Sequence, residues 1–254
     1  MGKVLAMFNQ KGGVGKTTTS VNLSACVAML GKKVLAVDFD PQSNLTSGLN
    51  IDRRTLKKNV YHVLIGDAQA SDVIVPSETA NLDVLPAGID LAGAEVEITN
   101  LPQREFALKK ALDRVKDDYD YVFIDCPPSL GLLPVNALVA ADGVIIPIQC
   151  EYYALEGVSQ LLNTVNLVKR SINVDLEITG VIMTMYDSRT NLSAQIVQEV
   201  RNYFGPKVFS VIIPRNVRLA EAPSYGMNIV DYDKSSKGAE AYTNLAKEFI
   251  QKVK

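Results

Sequence analysis

Lys11-Gly12-Gly13-Val14-Gly15-Lys16-Thr17-Thr18 lies between a short apolar run, residues 4–8, and a helical pattern that begins at Thr17. Strand, glycine-rich loop and helix in that order make a phosphate-binding loop. Glycines at 12, 13 and 15 allow positive φ and let backbone N–H groups turn inward, while the helix offers its positive N-terminal end to the same anion. Lys16 is then placed to reach the β- and γ-phosphates of a nucleotide, and the Thr17 hydroxyl to hold Mg²⁺. The plainer alternative is a glycine-rich turn after a strand, which leaves eight specified positions without a purpose.

The loop departs from the usual G-x-x-x-x-G-K-[ST] pattern. Gln10 stands where the first glycine belongs, and Lys11 adds a second lysine at the loop mouth. In this form, K-G-G-V-G-K-T resembles the deviant Walker A motif of the ParA/MinD family of ATPases. The resemblance implies that Lys11 crosses the interface of an ATP-bound sandwich dimer to the partner's phosphates. It also implies that Gly12 and Gly13 leave room for two such loops to approach closely. Outside that family, Lys11 reads as a solvated charge.

Further apolar runs at 33–37, 82–85, 121–124, 143–148, 178–185 and 208–213 suit buried parallel strands. Helical patterns at 17–30, 103–116, 132–140, 154–172, 193–204 and 238–253 fall mostly between them. Alternating strands and helices with right-handed crossovers predict an α/β fold: a doubly wound, mostly parallel twisted sheet with helices on both faces, the P-loop NTPase architecture. Its ligand site lies beyond the C-terminal strand ends, where the motifs fall. With 254 residues, 47% of them hydrophobic, and no linker or repeat, residues 1–254 read as a single ATPase domain.

Two carboxylates, Asp38 and Asp40, close the second strand in Val37-Asp38-Phe39-Asp40-Pro41-Gln42. The family resemblance gives Asp40 the attacking water and Asp38 the metal shell; the alternative is that one of them caps the next turn. Tyr121-Val122-Phe123-Ile124-Asp125 has the Walker B form, a strand delivering a carboxylate to Mg²⁺. Cys126-Pro127-Pro128-Ser129-Leu130-Gly131 follows as a rigid loop, because its prolines exclude an immediate helix. Ile212-Ile213-Pro214-Arg215-Asn216 resembles the family's adenine-binding segment, with Pro214 and Asn216 at the base; otherwise it reads as a strand-ending turn.

Cys26, Cys126 and Cys150 are too few and scattered for a disulfide framework or a zinc pair, which fits a reducing cytoplasm. His62, the one histidine, sits in a helical stretch at 59–65 and receives no metal or acid–base role. No run of 18 apolar residues and no signal peptide are present. The Met1-Gly2 start lacks the Ser or Thr of a myristoylation site. The last helix has an apolar stripe, Ala241, Tyr242, Leu245, Ala246, Phe249, Ile250 and Val253, which could cover the sheet or lie on a membrane. MinD-like relatives add a basic amphipathic segment after this helix, and none is expected here.

The net charge of −2 argues against a strongly basic nucleic-acid binder, yet from Val181 onward ten Lys/Arg face seven Asp/Glu. The resemblance spans nearly the whole chain, including P-I-Q-C-E-Y-Y-A-L-E-G, S-R-T-N-L and I-P-R-N-V-R-L-A-E-A-P-S-Y-G. Its later segments resemble the chromosomal ParA/Soj branch, without an N-terminal helix-turn-helix. That resemblance assigns Arg189 and Arg218 to sequence-independent DNA binding, with Lys207, Lys234 and Lys237 as weaker contributors; the alternative is ordinary surface salt bridges. Phosphate contacts need charge rather than base-reading geometry, and a dimer presents two such surfaces at once.

The implied activity is slow Mg²⁺-dependent ATP hydrolysis. It drives a partitioning switch with non-specific double-stranded DNA, a ParB-like centromere-binding protein and an ATP-dependent homodimer as partners, in the cytoplasm on the nucleoid and without a membrane. The rivals are a MinD-like membrane-cycling ATPase that positions cell division, and an ATP-dependent ligase or metallocluster carrier on the same scaffold.

Overall fold

The computed structural model describes residues 2–128, 131–154 and 157–253. Ser129 and Leu130 of the expected proline-rich loop, and Leu155 and Glu156 of the later motif, lie outside them. The strands are β1 Lys3–Met7, β2 Val34–Asp38, β3 Val75–Pro76, β4 Leu82–Leu85, β5 Tyr121–Asp125, β6 Gly143–Gln149 and β7 Glu177–Thr184. They form one sheet in the order β3-β4-β2-β5-β1-β6-β7, parallel except for the short edge strand β3. The helices of the first half are α1 Lys16–Met29, α2 Asn44–Gly48, α3 Val60–Leu64, α4 Ala70–Val73, α5 Leu91–Ile98 and α6 Ala107–Leu112. Those of the second half are α7 Leu132–Ala140, α8 Val158–Ser171, α9 Asn191–Phe204, α10 Val217–Glu221, α11 Ile229–Tyr232 and α12 Lys237–Lys252.

Strand periodicity divides the core into two layers. Val4, Ala6 and Phe8 pack with Val122 and Ile124 on the face covered by α5 to α9. Leu5 and Met7, with Ala36 and Phe123, pack on the opposite face against α1 and α12. The apolar stripe of the last helix resolves accordingly: Ala241, Tyr242, Leu245, Ala246 and Phe249 are buried against the sheet. The Phe249 ring lies 5.0 Å from that of Tyr121 and 5.3 Å from that of Phe123.

The strand expected at 208–213 is not a regular strand. This segment runs beside β7 but makes only isolated bridges, Val181 to Val208 and Tyr186 to Pro214. The amides of Ser210 and Val211 donate to the Glu248 carboxylate of α12 at 2.7 and 3.0 Å, which diverts them from a strand neighbour. The helix expected at 103–116 is broken into a 3₁₀ turn, Arg104–Phe106, and α6. β3 and the short helices α2, α4, α5, α10 and α11 have no periodic signature, since two to eight residues hold too few repeats to show one.

Burial of Phe249 against two aromatic rings of β5 makes it a principal anchor of α12. Phe249→Ala should cost about 3–5 kcal/mol of unfolding free energy, read from urea denaturation. A cost under about 1 kcal/mol would show that α12 does not hold the sheet.

Candidate functional site

Strand order converges the motifs. β5 lies between β1 and β2, with Met7 and Asp38 both opposite Asp125, so the loop leaving β1 and the two acidic strand ends share one edge. The loop is braced from below. Asn9, buried, donates through Nδ2 to the Pro147 carbonyl at 2.8 Å and accepts the Lys11 N–H at 3.0 Å. Gln10, in the place of the missing glycine, donates to Thr164 Oγ1 of α8 at 2.8 Å. Thr184, at the end of β7, donates to the Val14 carbonyl at 2.8 Å.

Gly13 and Gly15 take φ of +75° and +89°, where a side chain would be strained. Gly15 is also the N-cap of α1 and offers no side-chain cap, so the first-turn amides remain directed at whatever anion the loop receives. Gly12 differs: its φ is not left-handed, and a Cβ there would meet nothing within 4 Å among the described residues. Lys16 is buried and its Nζ donates to the Lys11 carbonyl at 3.2 Å, whereas Lys11 is exposed. Burial lowers the Lys16 pKa, and the charges of Asp125, Cys126 and Asp40 oppose that shift.

The acidic groups form a compact buried set. Asp125 accepts from Thr17 Oγ1 at 2.7 Å and from Ser20 Oγ at 2.8 Å. Asp38 accepts from the Thr46 backbone N–H at 2.8 Å and hydroxyl at 2.6 Å, and from the Asp40 amide at 3.3 Å. Burial pushes Asp38 up to about 6 despite the Thr46 bonds. Burial, reinforced by the Asp38 charge, pushes Asp125 up to about 7. Asp40 Oδ1 accepts the Gln42 N–H at 2.9 Å, so it does shape the following turn.

This donor set fits Mg²⁺. Thr17 and Asp125 supply hard oxygens in mutual contact, and a cation would offset the burial that raises the Asp38 and Asp125 pKa values. No group of three or more His, Cys, Asp or Glu among the described residues could hold a metal, which suits an ion that keeps most of its shell as water and phosphate oxygen. Asp38 has both oxygens engaged by the chain, so it would support such an ion indirectly.

Beside the loop lies a cavity of about 210 Å³ whose lining includes Gly15, Thr18, Met185, Pro214, Asn216 and Leu219. Pro214 and Asn216, expected at a base, thus share a cavity with the phosphate loop. Asn216 Oδ1 caps α10 by accepting the Arg218 N–H at 2.8 Å, which leaves its Nδ2 for a ligand. Met185 lines the same cavity with φ of +54°, an uncommon conformation for a side chain of this size. Arg189 and Arg218 lie apart, exposed and paired. Arg189 holds Asp187 at 2.6 Å; Arg218 holds Glu221 at 2.8 Å and Asp233 at 3.4 Å.

Asn9, Ser20, Thr46, Thr184 and Met185 escaped the sequence reading. The N-Q pair ahead of the loop was a signal for one of them; the others are small polar or apolar residues whose partners are distant in sequence. His62 proves structural: Asn59 and His62 form a capping box at α3, with His62 Nδ1 accepting the Asn59 N–H at 3.3 Å. The cysteines are buried thiols, with burial pushing Cys26 and Cys150 up to about 12.

Asp38 and Asp125 retain, when folded, protons that the unfolded chain releases near pH 4. Their contribution to stability is therefore full below about pH 4 and is lost as pH rises through about 6 to 7. Without divalent cations, Asp125→Asn should raise the melting temperature at about pH 8. It should also flatten the loss of stability between about pH 5 and 8 by on the order of 1–3 kcal/mol, measured by calorimetry. A variant that melts lower and keeps the full pH dependence contradicts this assignment.

Residues 2–178 match the AAA domain family. The chain is 60% identical over 248 residues to the sporulation initiation inhibitor protein Soj of Bacillus subtilis, covering 98% of each. It is 52% identical over 250 residues to the chromosome-partitioning ATPase Soj of Treponema pallidum, again covering 98% of each. A Mycobacterium smegmatis structure described as cobyrinic acid a,c-diamide synthase with ADP and magnesium superposes with a TM-score of 0.86 at 41% identity, covering 99% of this chain and 95% of that one. The cell division ATPase MinD of Pyrococcus furiosus gives 0.81 at 27% identity, covering 99% of each. With its phosphate loop, its buried acidic pair and relatives matched along their whole length, the chain belongs to the ParA/Soj family of chromosome-partitioning ATPases and hydrolyses ATP with Mg²⁺.

Proposed function

We propose that this ATPase is a nucleotide-state switch for chromosome or plasmid partitioning: it dimerises around two sandwiched ATP molecules, binds double-stranded DNA without sequence preference in that state, and is reset by hydrolysis that a ParB-like protein stimulates. The observation that carries this reading is at Gly12. Gly13 and Gly15 need their backbone angles, but nothing among the described residues requires Gly12 to lack a side chain. A second loop approaching the same surface would require it.

The roles follow from position. Lys16 gives up the Lys11 carbonyl to neutralise phosphate charge from inside, and the amides at the start of α1 hold the phosphate oxygens. Thr17 and Asp125 would hold Mg²⁺, which supplies Lewis-acid neutralisation of phosphoryl oxygens when bound. Asp40 keeps Oδ2 for the attacking water while Oδ1 fixes its own turn. Lys11, exposed at the rim, adds a cation from the partner; an added cation of this kind is typically worth about 10³–10⁵ in rate. Pro214 and Asn216 hold the base through the Pro214 carbonyl and Asn216 Nδ2, against the apolar wall of Met185 and Leu219.

Arg189 and Arg218 contact phosphates of the duplex. Their carboxylate partners weaken each single contact, so strong binding falls to the dimer, which presents both copies of the surface together. The relatives described as partitioning proteins support a cytoplasmic, nucleoid-associated setting. A membrane-cycling role has less support, because the apolar stripe of α12 is buried in the core.

Sedimentation and duplex binding with ADP and with ATP test the reading together. The expected result is ATP-dependent dimerisation with salt-sensitive DNA binding. Binding should strengthen in Asp40→Ala, which traps the dimer, and disappear in Arg218→Glu; Gly12→Val should bind ATP but stay monomeric. ATP-dependent dimers of Gly12→Val, or no DNA binding in any state, would overturn it.

A further inference from the structure

Residues 53–58, Arg-Arg-Thr-Leu-Lys-Lys, place four cations in an exposed loop between α2 and α3. Two are neutralised locally: Arg54 pairs with Asp52 at 3.1 Å and Lys58 with Asp67 at 3.2 Å. Arg53 and Lys57 have no carboxylate partner among the described residues. Arg53 instead donates through Nη1 to the Gln42 backbone carbonyl at 3.3 Å. Arg189 and Arg218 are already clamped by one and two carboxylates. A phosphate binding at those arginines must displace a paired carboxylate, whereas Arg53 feels the Asp52 charge only at longer range and neither Arg53 nor Lys57 makes an ion pair among the described residues.

The loop adjoins the surface that carries Arg218. Asn50, just ahead of it, packs against Gly226 so tightly that a Cβ on Gly226 would lie 2.9 Å from Asn50 Cβ and 3.0 Å from its Cα. Gly226, with φ of +66°, ends the 3₁₀ turn Ala222–Tyr225 that directly follows α10. From that turn the Tyr225 ring lies 5.2 Å from Tyr232, whose hydroxyl donates to Glu221, the partner of Arg218. A chain of contacts therefore connects the basic loop to Arg218.

We propose that the 53–58 loop is a second phosphate-backbone contact of the nucleic-acid face, with Arg53 and Lys57 as its binding cations. The inference rests on the DNA reading above and extends it to a segment outside the motifs. Duplex DNA fits the loop better than a lipid surface does. Backbone phosphates require only exposed positive charge, whereas interfacial membrane binding requires an apolar face, and the loop's single apolar side chain, Leu56, is half-buried.

The test is binding of a random-sequence fluorescent duplex to the full chain with ATP across a salt titration. It compares wild type with Arg53→Gln/Lys57→Gln, with Lys57→Gln alone, and with Arg218→Glu as reference. Each released phosphate contact removes about 0.9 from the log–log salt slope. The double variant removes two cations from each protomer and four from the dimer, so it should lose at least several-fold in affinity and about 3.6 in slope, and Lys57→Gln, at an exposed side chain, about half of that slope. Thermal melts run in parallel distinguish a lost contact from a lost fold. Wild-type affinity and slope in both loop variants, with binding lost in Arg218→Glu, overturn the loop and leave the DNA reading intact. Absence of duplex binding by the wild type in every nucleotide state overturns both. Loop-dependent binding to phosphatidylglycerol vesicles with unchanged duplex binding assigns the loop to lipid and overturns it as well.

Discussion

Asp38 and Asp125, side by side at the ends of neighbouring strands and fully buried, set the terms for everything around them. Two carboxylates so placed repel each other and lose hydration, and burial lifts the pKa of both. The chain surrounds them with hydroxyl and amide donors from Thr17, Ser20 and Thr46 and with the buried Lys16. The site thus stores an electrostatic demand that a divalent cation and a nucleotide's phosphates satisfy. Strain of this kind is tolerated because the strands beneath are buried on both faces and cannot shift register without exposing a core layer.

The phosphate loop is tied to three separate strands or helices through Asn9, Gln10 and Val14. Such bracing leaves its backbone little freedom, which suits a loop that must present a fixed set of amides. Lys16 and Lys11 are linked through the Lys11 carbonyl, so the buried cation and the exposed one share a single turn of backbone. The base cavity is joined to the outer surface in a similar way: Asn216 lines the cavity and caps the five-residue helix that carries Arg218.

Much of this was legible in the sequence because it is local. The phosphate loop, the acidic strand ends and the parallel strands are contiguous strings whose residue types have few other uses together. The segment at 208–213 reads as a strand because its apolar run is real, while the hydrogen bonds that divert it come from Glu248, far along the chain. Thr46, Thr184 and Met185 escaped notice for the same reason, since their significance lies in contacts across the fold. The clamped state of Arg189 and Arg218 was open to the sequence as an alternative, because Asp187 and Glu221 are two and three residues away; the pairing with Asp233 required the fold.

The claim on which the account turns is that Lys11 acts on the partner's phosphates and Asp40 on those of its own protomer. Steady-state ATPase measurements on Lys11→Ala, Asp40→Ala and an equal mixture of the two address it most directly. If Lys11 acts across the interface, a mixed dimer contains one site with an intact Asp40 and a lysine from its partner, and the mixture turns over ATP faster than the two variants do separately. A mixture no faster than the sum of its parts, under conditions where sedimentation shows the mixed dimer, would place Lys11 in its own site and contradict the account.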